Sequence, residues 1–161
     1  LDISQLYDRF GEAMYRYLAV KLGSPDDAED VLQEVFYRLV KYSFRLRFVR
    51  DPRAFAFRIA RNEASRFLQR KVSVEKAAAP AAVAADSLGR SYAGPGALSD
   101  KAVAEALARI PEEQREVIIL RVFEGLSFKE IASVSGQSIN TVASRYRYGL
   151  EKMRTLMEGG E

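Results

Sequence analysis

Neither cysteine nor histidine occurs among the 161 residues of this chain, and tryptophan is missing as well. Without the first two, a zinc finger, a disulfide scaffold, a Ser-His-Asp triad and a Cys-His nucleophile are all out of reach. The glycines lie singly, in Gly94-Pro95-Gly96 or in the pair Gly159-Gly160, with no lysine-bearing loop able to cradle a phosphate. No apolar run approaches the length of a membrane span, and the start shows no signal-peptide pattern. These absences predict a soluble cytoplasmic protein with no membrane insertion, no catalytic residue, no metal site and no cofactor. Leu1 in place of an initiator methionine leads us to expect a few native residues ahead of it. Adjacent acids such as Asp26 and Asp27 read better as helix-start charges than as an acid and a base.

Charge is plentiful and unevenly placed. The net charge of +3 hides a stretch of −4 from Leu1 to Val40, followed by +8 from Lys41 to Lys71. In the second stretch only Asp51 and Glu63 oppose ten lysines and arginines. A basic block of that density implies a polyanion-binding surface.

The last third of the chain is the most structured in its signals. Ser127-Phe-Lys-Glu130 has the spacing of a capping box, which places a helix start at Phe128. Gly136 can adopt the left-handed conformation of a helix stop, and Ser138 is a good N-cap for the next helix. The pattern is that of a helix-turn-helix. Along its second helix, Ile139, Val142, Tyr146, Leu150 and Met153 recur near helical spacing and predict the buried stripe. The opposite face carries Asn140, Thr141, Ser144, Arg145 and Tyr148, with Arg147 beside it. It is either a solvated hairpin surface or the part of such a motif that enters a DNA major groove.

The chain divides into two helical parts, residues 1–72 and 99–161, joined by a flexible Ala/Gly/Pro-rich linker over 73–98. As coil the linker would span on the order of 30 Å, with a stretched limit of roughly 80 Å. An all-α fold of two small domains is therefore expected. In the first, Leu6, Phe10, Met14, Tyr17 and Leu18 give a helix ending near Gly23. Ser24-Pro25-Asp26-Asp27 opens a second helix with an N-cap, a Pro at its first position and two carboxylates in its first turn. Its inward face is Val31, Leu32, Val35, Phe36 and Leu39, leaving Asp27, Asp30, Gln33, Glu34 and Arg38 largely outward. Asp51-Pro52 starts a third, with Phe55, Ile59 and Phe67 inward and Arg58, Arg61, Asn62 and Arg66 outward. Around this start, Tyr42, Phe44, Phe48, Phe55 and Phe57 alternate with Arg45, Arg47, Arg50, Arg53 and Arg58. Those rings are either core anchors or stacking platforms for single-stranded nucleic acid. A loop from roughly Ser43 to Arg50 is placed to take a base out of a melted duplex.

Taken together, Asp27-Ala-Glu-Asp-Val-Leu-Gln-Glu-Val-Phe-Tyr-Arg-Leu39, Arg58-Ile-Ala-Arg-Asn62, Ile110-Pro-Glu-Glu-Gln-Arg-Glu-Val117 and the helix-turn-helix resemble the extracytoplasmic-function branch of the sigma-70 family. The resemblance covers nearly everything but the linker. It implies a sigma region 2 bundle and a sigma region 4 helix-turn-helix, in a factor that directs core RNA polymerase to promoters and helps open them. It also implies roles for matching residues. Asp30, Gln33 and Glu34 would dock on the clamp of the polymerase largest subunit. Phe44, Arg45, Arg47, Phe48, Arg58, Arg61, Asn62 and Arg66 would meet the −10 element and the melted non-template strand. Ser138, Asn140, Thr141, Ser144, Arg145, Arg147 and Tyr148 would read duplex DNA at the −35 element, while the helix from Pro111 to Gly125 meets the polymerase flap. An anti-sigma factor is the further partner implied.

Two departures bear on promoter choice. Ala143 stands where the family often has a lysine in T-V-K-S-R, and Ser65-Arg66 stands where an aspartate is usual. Two alternative functions remain open from the residues: a sigma-like decoy that sequesters an anti-sigma factor, and a conventional helix-turn-helix regulator. The first would shed its DNA-contacting charge, and the second leaves the Asp27 to Leu39 helix unexplained.

Overall fold

The computed structural model describes residues 2–75 and 101–159. The linker expected over 73–98 lies outside the described residues except where α4 runs on to Glu75. The described residues form two compact units, one on each side of the undescribed stretch. All regular structure among them is helical.

The first unit holds α1 (Ile3–Leu22), α2 (Pro25–Lys41), the single turn α3 (Ser43–Leu46) and α4 (Pro52–Glu75). Local chemistry sets these starts. Asp2 and Gln5 cap α1 reciprocally, Ser24 Oγ accepts the Asp27 amide at 3.2 Å, and Asp51 Oδ1 accepts the Ala54 amide at 3.0 Å. Gly23, at φ +71°, closes α1 in the left-handed conformation. Leu6, Met14 and Leu18 of α1, Val35 and Leu39 of α2 and Phe57 of α4 are buried where these three helices pack together. On α4, Ala56, Ala60 and Ala64 repeat every four residues and are fully buried. Small side chains in that row let α1 and α2 come close to its backbone. Lys71 of α4 reaches Asp27 at the start of α2, 3.3 Å away.

One open alternative for this unit is resolved and two expectations need correction. Phe57 is core, 1 % exposed with its ring edge against Tyr17 at 5.7 Å, so it cannot join a stacking platform. Phe55 and Phe67 are half-buried, and Phe57 takes the central inward place with Ile59. The segment from Ser43 to Arg50 is not all loop, because Leu46 is buried and draws residues 43–46 into a helical turn.

The second unit holds α5 (Lys101–Arg109), α6 (Glu112–Ile118) continuing into a π-helical turn (Ile119–Phe123), α7 (Phe128–Ser135) and α8 (Ile139–Glu158). Leu107, Val117, Leu120, Leu126, Ile131, Val134 and Val142 form its core. The seam that α8 turns toward α6 and α7 is Val142, Tyr146, Gly149 and Met153, in steps of four, three and four. The expected stripe is therefore wrong at two places, since Ile139 is 49 % and Leu150 40 % exposed. A hydrophobic pattern passes over glycine, yet Gly149 occupies the closest approach. A Cβ there would lie 2.8 Å from Ile118 Cδ1 and 3.2 Å from Gln114 Cβ.

Candidate functional site

On α2, Asp30 and Gln33 are exposed and Glu34 is half-buried. Glu34 pairs with Arg38 one turn on, at 3.5 Å. Arg38 also meets Glu63 of α4, a carboxylate only 2 % exposed, which in turn accepts from Arg66 Nη1 at 2.9 Å. Of the three expected docking residues of α2, Glu34 is thus linked through Arg38 and the buried Glu63 to the expected strand-contacting Arg66, whereas Gln33 stands outside that network. Asp30, Val31, Glu34, Glu63, Phe67 and Arg70 line a shallow cleft there, between α2 and α4. Sequence reasoning passed over Glu63. The available signal was its position as a lone acid in the basic block, seven residues after Ala56 and three after Ala60, on the buried row of alanines.

Beyond α2, the chain turns through α3 to Arg50 and exposes two rings. Phe44 is 71 % and Phe48 76 % exposed, with centroids 6.0 Å apart in an edge-on pair. Arg45 lies over the Tyr42 ring at 5.5 Å, and Arg47 and Arg50 are exposed nearby in sequence. Two phenyl rings held in water forgo on the order of 2 kcal/mol each that covering them would return. Flanked by cations, they offer faces for bases and charges for phosphates. On α4, Arg58, Asn62 and Arg66 repeat every four residues on one exposed face, with Arg61 half-buried beside them.

In the second unit, the predicted helix-turn-helix is present in detail. Ser127 and Glu130 form the reciprocal capping box, with bonds of 3.1 and 3.0 Å, and Gly136 takes φ +69°. Phe128 packs edge-on to Tyr146 at 5.2 Å and carries Arg121 on its face at 5.1 Å, fixing α7 against α8. Asn140, Arg147 and Tyr148 are exposed, with the Arg147 guanidinium 5.0 Å over the Tyr148 ring, whereas Thr141, Ser144 and Arg145 are half-buried. Ser138 is exposed but engaged. Its hydroxyl accepts the Thr141 amide at 3.1 Å and donates to Thr141 Oγ1 at 2.9 Å. Arg115 in the Ile110–Val117 motif turns inward instead of outward. Its Nη1 donates to the carbonyls of Ala108 and Ile110, each at 3.2 Å, and ties the end of α5 to α6. Burial lowers its pKa, against the opposing pull of Glu112 and Glu113. Among the described residues, no helix is long and apolar enough to cross a membrane.

Known proteins align with both units. Residues 6–73 match the model of sigma-70 region 2, and residues 100–153 match that of sigma-70 region 4. The extracytoplasmic-function (ECF) RNA polymerase sigma factor SigL of Mycobacterium tuberculosis is 31 % identical over 96 % of this chain and 89 % of its own length. SigZ of Bacillus subtilis, another RNA polymerase sigma factor, is 26 % identical over 99 % of this chain and 89 % of its own. Two solved structures share the fold. One is the sigma factor RpoE of Bartonella quintana in complex with the anti-sigma factor NepR, with TM-score 0.73, 22 % identity and 96 % of each chain covered. The other is CnrH with the cytosolic domain of CnrY, with TM-score 0.64, 24 % identity and coverage of 99 % of this chain and 89 % of that one. On the region 2 and region 4 matches and the full-length likeness to SigL, the chain belongs to the sigma-70 family and is an RNA polymerase sigma factor of the ECF type.

Proposed function

We propose a division of labour within this sigma factor in which residues 1–72 dock on core polymerase and open the −10 element, while residues 99–161 hold the −35 element. Asp30, Gln33 and Glu34 on the outer side of α2 give the acidic surface that suits a basic clamp, and the π-turn side of α6 offers the flap contact. Arg58, Arg61, Asn62 and Arg66 follow the strand along α4, with Arg45 and Arg47 at the tip. In α8, Asn140, Ser144 and Arg145 carry sequence preference, with Arg147, Tyr148, Ser138 and Thr141 at the edges of the contact. Bond chemistry is left to polymerase, in the cytoplasm. An anti-sigma factor is the second protein partner, in keeping with the anti-sigma complex of the fold relative RpoE.

The observation that carries the reading is the Phe44–Phe48 pair. It is exposed on both rings, stands on a turn anchored by Leu46, and is flanked in sequence by the exposed Arg45 and Arg47. An aromatic pair so placed suits capture of an unstacked base better than contact with an intact duplex.

The test is to mix the purified chain with bacterial core RNA polymerase and fragmented genomic DNA from its source, and to sequence the 5′ ends of the transcripts. Discrete start sites sharing two spaced upstream elements are expected. The double variant Phe44→Ala/Phe48→Ala should still bind core polymerase, yet yield at least about tenfold less open complex, the loss of one to two stacking contacts. Binding to core with no specific transcripts would instead favour a decoy that sequesters an anti-sigma factor. Failure to bind core would sink the assignment of α2.

A further inference from the structure

Ile139 is an apolar side chain that its own fold leaves about half in water. It is the first residue of α8, held in place by the Ser138 cap, and it is 49 % exposed. Isoleucine brings no helix-propensity advantage over alanine that would account for it there. Among the described residues of the first two turns of α8 it is the large apolar side chain left in water, because Val142 is fully buried. The other exposed apolar side chains of the helix differ in position. Tyr148 is stacked by Arg147, and Leu150 lies eleven residues on, about 16 Å along the axis.

Its neighbours sharpen the point. Ser138 and Thr141 are hydrogen-bonded to each other, which leaves Asn140 as the polar side chain beside Ile139 with no bond to the cap. One turn on, on the same side of the helix, Ala143 presents a methyl group and no long side chain that would shield Ile139 or supply a cation. The leading edge of the helix thus presents one apolar side chain, Ile139, among the exposed polar residues Gln137, Ser138 and Asn140. In a major groove, base edges offer hydrogen-bonding groups and a single apolar feature, the C5 methyl of thymine.

We propose that Ile139 is a specificity-determining residue of this protein, packing against a thymine methyl in the −35 element, with Ala143 leaving room for that contact. The inference rests on the reading above that the N-terminal part of α8 enters the major groove. Asn140 then supplies hydrogen bonds at an adjacent base pair, and Ile139 discriminates thymine from the three bases that present no methyl group at that position.

The experiment uses the full chain with core polymerase on a promoter located by the start-site mapping. Single-round transcription is measured on three templates: the natural one, one with deoxyuridine at every thymine of the −35 element on either strand, and one with that element scrambled. Deoxyuridine keeps every hydrogen bond and removes only the methyl. For the unaltered chain, the deoxyuridine template should initiate about three- to fivefold less than the natural one, the effect of roughly one methyl group leaving an apolar contact. Ile139→Ala should transcribe the natural and deoxyuridine templates equally, and Ile139→Val should fall between. An unaltered chain indifferent to deoxyuridine, or an Ile139→Ala variant as sensitive to it as the parent, overturns the proposal while leaving the −35 reading intact. A chain indifferent to the scrambled template removes the −35 reading itself. Equal loss by Ile139→Ala on all three templates assigns Ile139 to a protein contact and also overturns the proposal.

Discussion

Arg115 donates one guanidinium nitrogen to two carbonyls, those of Ala108 and Ile110, while only 8 % exposed. Removing such a donor leaves both carbonyls short of a partner in a place water does not reach freely, at a cost of about 2–3 kcal/mol for a charge-assisted pair of bonds. Arg115→Met, which keeps the length and apolar stem, should therefore lower the unfolding free energy by about that amount in urea denaturation. A loss below about 0.5 kcal/mol would mean the carbonyls find other partners. The sequence places Arg115 within a polar motif, Pro-Glu-Glu-Gln-Arg-Glu, and nothing in its composition marks one member as buried. Ser127 and Glu130 are the contrary case. Their capping box was legible because both partners lie within one turn, so spacing alone specifies the bonds.

Helix α8 shows how a pattern can find an element and still misplace its face. The period was right, but the seam passes through Gly149 instead of Leu150, which moves the inward direction and releases Ile139 and Leu150 to the surface. At Gly149, an added methyl meets the flexible end of Ile118 at 2.8 Å and the stiffer Gln114 Cβ at 3.2 Å. Gly149→Ala should come out close to neutral, because a helix-propensity gain of about 1 kcal/mol offsets the displacement. Gly149→Val carries two further methyls into the same gap and should cost about 1–3 kcal/mol. Thermal unfolding of the two variants side by side checks this, and a Val variant as stable as the parent would refute the close α6–α8 contact. In α4, too, the helix start was readable at Asp51-Pro52. Which of Phe55, Phe57, Ile59 and Phe67 goes deepest depended on where α1 offers Tyr17.

Across the whole chain, charge is sorted by stretch, with a net of −4 to Val40 and +8 from Lys41 to Lys71. The structure refines that sorting. Glu63 is buried between Arg38 and Arg66, and Asp27 pairs with Lys71, so part of the basic block is committed to holding α2 against α4. Arg58 lies outside that network on the exposed face of α4. Promoter binding by the holoenzyme should weaken with salt, and Arg58→Ala should reduce the magnitude of the log–log slope by about one, as expected for one lost phosphate contact. An unchanged slope, measured by titrating promoter fragments at several salt concentrations, would remove Arg58 from the DNA contact. Arg66→Ala should alter stability as well as binding, since it also unpairs one side of Glu63.

The sequence by itself determined the helical class, the starts of the helices at Pro25, Pro52, Phe128 and Ile139, and the order of the two regions. Each of these is settled by residues within a turn of one another, or by apolar spacing along one helix. Tertiary structure decided which faces turn inward and which charges are available. It buried Phe57 and left Phe44 and Phe48 in water, exposed Ile139, chose Gly149 for the closest contact, and turned Arg115 and Glu63 inside. These outcomes depend on which surface a neighbouring helix presents at a given height. Such pairings join residues far apart in the chain, as Lys71 joins Asp27, and local spacing carries no record of them.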